Sequence, residues 1–149
     1  MTPINAYMTA KGYRLSAEMI HRSPLKKVDE PVFLSIHLLL GFAVELYLKA
    51  FLLHDGMSEK LLRTKQLGHS LKNLYAQGQL RSLPNIPHLE ELVDLLHERH
   101  FDLRYRYVHE ADEFPRTNLD FAFVILNNLD TQIDAVVGAS AKFDLLPGH

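Results

Sequence analysis

The residues best suited to chemistry lie in one short run, Arg104-Tyr105-Arg106-Tyr107-Val108-His109-Glu110. Histidine moves a proton near neutral pH, because its unperturbed pKa is about 6.5. Arginine presents a rigid fork of donors to phosphate oxygens as charge gathers on them. Arg104 and His109 together therefore supply what RNA needs to be cut by its own 2′-hydroxyl, without a metal. On a continuous helix of 3.6 residues per turn, their five-residue separation places them roughly 140° apart. They converge only if the helix ends between them or a second subunit completes the site. The run Tyr105-Arg106-Tyr107-Val108, with Pro115 soon after, predicts such an ending. The simpler alternative is a helix C-terminus carrying cations that complement its dipole.

His97, His100 and Arg104 follow at steps of three and four, one helical face, and Arg99 and Arg106 add charge. The segment reads as a phosphate-binding ridge, or as a solvated face with one half-buried histidine. His97-Glu98-Arg99-His100 falls one residue short of the zinc-protease spacing, and no metal or cofactor is expected. Glu45 precedes Lys49 by four residues, the favourable order for a helical ion pair. The pair is either acid–base machinery in a cleft or, the favoured reading, a polar tie between helices or across a dimer axis. His69 is assigned to the turn that starts a helix, with no catalytic role. There is no glycine-rich phosphate loop.

The element that must position these groups is the stretch from Pro31 to Leu53, apolar nearly all round and broken only by Gly41. Such a helix belongs in the middle of a bundle. His37, Gly41, Glu45 and Lys49 form a narrow polar strip along it. A bilayer span also needs about 20 residues, but each charge near its centre costs roughly 2.5–3.5 kcal/mol, so a core helix and no membrane partner are expected. Around it, periodicity predicts helices over residues 4–21, from Ser70 to Gly78, from Leu89 to about Leu103 and from a capping box at Thr117–Asp120 to about Val137, with a helical turn at Glu59–Leu62. No segment alternates long enough for a strand. The expectation is a single all-α domain of about five helices, with a core near residues 5–138 and a tail over 139–149.

Composition narrows the function classes. A formal charge of −2 requires any nucleic-acid binding to use a local basic patch. The absence of cysteine removes disulfides, thiolate catalysis and cysteine-ligated zinc. The N-terminal residues lack the apolar run of a signal peptide, which predicts a cytoplasmic protein.

Three features together resemble one family: Glu45-Leu46-Tyr47-Leu48-Lys49-Ala50 in a long second helix, Gly68-His69-Ser70-Leu71 opening the next, and Arg104…His109. Their order and spacing, over roughly residues 5–138, are similar to a HEPN domain (higher eukaryotes and prokaryotes nucleotide-binding). The resemblance implies a four-to-five-helix up-and-down bundle, usually a homodimer. Many members are metal-independent endoribonucleases of toxin–antitoxin, phage-defence or RNA-processing systems. Others bind nucleotides or stand beside a nucleotidyltransferase, which in a toxin–antitoxin pair is the antitoxin. By position, Arg104 and His109 correspond to the catalytic pair, and Glu45 and Lys49 to the family's second-helix positions. Arg106, His97, His100 and Lys49 are the candidate RNA- or nucleotide-binding residues. The expectation is a metal-independent endoribonuclease, with a non-catalytic module that binds a nucleotide or a nucleotidyltransferase partner as the alternative; active members often carry Asn, Asp or His directly after the arginine, where this chain has Tyr105, a difference that speaks for the alternative.

Overall fold

The computed structural model describes residues 1–24, 29–105 and 118–144. Among them it contains seven helices and no strand: α1 (Pro3–Arg22), α2 (Asp29–His54), α3 (Glu59–Leu62), α4 (Leu71–Leu80), α5 (Leu89–Phe101), α6 (Leu119–Val137) and α7 (Ala139–Phe143). The all-α expectation holds. The five helices of ten or more residues are those read from periodicity, and α3 is the turn expected at Glu59–Leu62.

α2 is the axis of the molecule and packs against α1, α4, α5 and α6. Its length and composition would also suit a membrane span, and 72% of its most apolar window is buried inside the fold. It stops where Gly56 takes a left-handed φ of 101°. There the Gly56 N–H donates to Leu53 O and the Met57 N–H to Leu52 O, the paired bonds of a Schellman cap. At the other end of the chain, the α6 stripe is inside as expected: Ala122, Leu126, Leu129 and Ile133 are buried.

Three details differ from the sequence reading. α4 runs through Gly78 to Leu80. Gly78 serves packing there, since a Cβ would stand 3.2 Å from the Leu83 side chain. α6 is capped by Asn118, whose side chain accepts from the Phe121 N–H; Thr117, where the capping box is expected to open, lies outside the described residues. Finally, α1 turns Tyr7, Lys11 and Arg14 inward, while Tyr13 and Ile20 are only half-buried. These three meet α6 at a buried carboxylate. The Tyr7 hydroxyl donates to Asp130 Oδ1 at 2.7 Å and the Tyr47 hydroxyl to Oδ2. Lys11 Nζ and Arg14 Nε lie 3.5 and 3.3 Å from Oδ2. Burial and the Asp130 charge push both phenols well above their ordinary pKa, so they remain donors.

Candidate functional site

The polar strip of α2 meets a different partner at each step. His37 is buried; its ring lies 4.0 Å from that of Phe33 and 5.5 Å from that of Tyr105. One turn on, Gly41 lets His100 lie flat against the helix, for a Cβ at Gly41 would stand 2.4 Å from His100 Nδ1. A further turn on, Glu45 collects three donors. Lys49 Nζ donates to its Oε1 at 2.7 Å, while His69 Nδ1 and His100 Nε2 both reach Oε2, at 3.0 and 2.6 Å. Lys49 also donates to Gly68 O at 2.7 Å.

Local sequence explains this convergence. The fourfold spacing of α2 sets its polar side chains in one row. The Gly68 N–H reaches back to Thr64 O, and the Ser70 hydroxyl caps α4 by accepting from Asn73 N–H. Between them His69 is held over Glu45. His100 arrives from the last turn of α5 on the same face as Leu89, Leu92, Val93 and Leu96, all buried. Burial alone would raise the Glu45 pKa. The His100 hydrogen bond, the Lys49 charge and the His69 contact more than offset it, holding the carboxyl down to about 2. Glu45 is thus a buried, fully ionised carboxylate.

The candidate residues separate into distinct settings. α5 ends at Phe101, ahead of Arg104, and Leu103 takes a left-handed φ of 55°. Arg104 therefore stands beyond the helix, half-buried, its N–H donating to Arg99 O at 2.7 Å. α5 thus stops before Arg104. Arg106 and His109 lie outside the described residues. Tyr105 is buried, which pushes its phenol up to about 12. His97, His100 and Arg104 do not form one exposed ridge. His100 is almost wholly enclosed, because Gly41 opens a slot for it and Glu45 binds it there. His97 is half-buried beside α4, where burial lowers its pKa and the Lys72 and His100 charges add to the effect.

His69 is the participant that sequence spacing did not assign to the site. Its contact with Glu45 spans 24 residues, and only its place directly after Gly68 marks it. Glu45, His69 and His100 offer three donor atoms within 4.8 Å of one another, close enough for a metal ion. Their bonding favours protons instead. His100 Nδ1 is buried with no hydrogen-bond partner among the described residues. If Nε2 held a metal, Nδ1 would have to carry a proton with no acceptor, whereas a ligating histidine ordinarily donates its other N–H. Lys49 beside the same carboxylate also opposes a second cation.

A groove lies elsewhere, between α1 and α6. It has a volume of about 680 Å³ and is lined by Arg14, Glu18, His21, Arg22, Phe123 and Asn127, among others. No family model matches this sequence, and no curated protein or solved structure is significantly similar to it. The chemistry of the two sites therefore rests on their own residues.

Proposed function

We propose that this chain is a HEPN-type, metal-independent endoribonuclease, working as a cytoplasmic homodimer of the toxin–antitoxin or phage-defence kind. One observation carries the reading. Two of the three signatures of the resemblance, far apart in sequence, pack on one carboxylate, Glu45 and Lys49 from α2 with Gly68 and His69 before α4, and His100 at the end of α5, four residues ahead of Arg104, joins them there. In this reading Arg104 steadies the charge that grows on the phosphate oxygens, and His109 exchanges a proton with a reacting oxygen. Glu45 and Lys49 hold the frame. A nucleotidyltransferase-type antitoxin is the expected partner.

The test is cleavage of a mixed-sequence RNA in excess EDTA by the wild type and by His109→Ala, both first shown to have equal helicity. Cutting by the wild type alone is the expected result. Equal cutting by the two proteins would remove His109 from the site.

A second reading, a non-catalytic HEPN module that binds a nucleotide, is favoured by two observations. Tyr105 is buried where active members often carry a polar side chain. The α1–α6 groove also has Arg14 in its wall, with Nη2 lacking a hydrogen-bond partner among the described residues. Under this reading the wild type leaves RNA intact and binds nucleotide, and Arg14→Gln weakens the binding.

A further inference from the structure

Two polar atoms of residues that line the α1–α6 groove are buried without a hydrogen-bond partner among the described residues, and they have opposite needs. Arg14 is 3% exposed. Its Nε faces Asp130 and the Tyr47 hydroxyl, and its Nη1 donates to Glu18. That leaves Nη2 as an unmet donor. His21 follows seven residues later on α1, with Nε2 standing 2.8 Å from Asp120 Oδ1. A carboxylate only accepts, so Nε2 carries the proton, and Nδ1 of the neutral ring is an unmet acceptor. Unmet buried polar groups destabilise a fold, and an occupant of the groove that supplied both partners would relieve two at once.

Spacing and surroundings select that occupant. Seven residues of helix rise about 10 Å, and three residues of extended chain advance about 10 Å. An extended peptide therefore offers a carbonyl to Arg14 and an N–H to His21. Its alternate side chains fall on one side, and the groove walls present the exposed side chains of Leu15 and Val124 to receive them. Met19, one turn beyond Leu15, is 73% exposed. Charge points the same way. Arg14 and Arg22 share Glu18, and Asp130 lies against Arg14 as well. Cations already matched by carboxylates suit a neutral amide better than a phosphate dianion. We propose that the α1–α6 groove docks an extended, uncharged segment of a partner polypeptide, with a carbonyl on Arg14 Nη2, an N–H on His21 Nδ1 and apolar side chains against Leu15 and Val124. Main-chain hydrogen bonds then give affinity, and the apolar walls give specificity. The proposal does not depend on the ribonuclease reading, and it gives the groove an occupant other than the nucleotide of the second reading.

The probe is a blocked tripeptide, N-acetyl-leucyl-alanyl-leucine amide, titrated into the full chain while side-chain nitrogen NMR signals are followed. Before peptide is added, neutral His21 should carry its proton on Nε2; a proton on Nδ1 would overturn the proposal. Saturable binding should then shift the Arg14 guanidinium and His21 Nδ1 signals together and leave His69 and His100 unmoved. His21→Phe keeps a ring beside Phe123, 5.4 Å away in the wild type, and removes the acceptor. It should weaken binding about fivefold, the worth of one hydrogen bond, and Val124→Asp, at an exposed position, should abolish it. No binding, or binding that His21→Phe leaves unchanged, would overturn the proposal. So would adenosine monophosphate moving these signals where the peptide does not, which would hand the groove to the nucleotide reading. A shift of the same signals with protein concentration alone would make a second copy the occupant and overturn it too.

Discussion

At the scale of single residues, the molecule depends on a buried charge that is ionised because three donors surround it. Glu45 has a pKa near 2 in the fold against 4.5 for the ordinary side chain. Its folded pKa is depressed, so its contribution to stability is complete above about pH 4.5 and is lost as pH falls toward 2. The shift is worth about 3 kcal/mol. Urea unfolding should therefore find Glu45→Gln less stable than the wild type near neutrality, with the gap closing as pH falls from about 5 to about 3. A gap that does not change with pH would mean that charge is not what Glu45 contributes. Some of this was legible in the sequence: Glu45 and Lys49 four apart on an apolar helix announce a buried pair. The two histidines that complete the cluster were not, since they come from 24 and 55 residues away and spacing along one helix says nothing of contacts between helices.

At the scale of elements, periodicity was informative because every long helix has a face to bury, and α2 has nearly its whole surface to bury. The errors fall where polar side chains point inward or glycine serves packing. On α1, Tyr7, Lys11 and Arg14 at steps of four and three marked a second face, and Asp130 and Asp134 on the apolar side of α6 marked what it meets. Gly78 looked like a stop signal but allows Leu83 to pack. Two other glycines separate these roles. Gly41→Ala would drive a methyl into a ring that Glu45 holds in place, so it should cost roughly 1–3 kcal/mol and disturb the His100–Glu45 contact. Gly12, inside α1, has nothing within 4 Å of a new Cβ, so Gly12→Ala should stabilise the fold by roughly 0.5–1 kcal/mol. Thermal unfolding of the two variants checks both signs, and a neutral Gly41→Ala would contradict the tight seat described for His100.

At the scale of the whole molecule, two buried carboxylates divide the work. Asp130 ties α6 to α1 and α2 through two phenols and two cations, one of which, Arg14, also lines the α1–α6 groove. Glu45 ties α2 to α4 and α5 at the end where Arg104 emerges and where His69 faces solvent. The division gives the bundle one polar centre that is sealed and one that is open on a single side. The most direct test of the account is the chemistry of the cut. Wild-type protein is incubated with RNA of defined sequence in excess EDTA, and the new ends are identified by mass spectrometry. Ends carrying a 2′,3′-cyclic phosphate and a 5′-hydroxyl are the predicted result. Ends with a 3′-hydroxyl and a 5′-phosphate, or intact RNA, would contradict it.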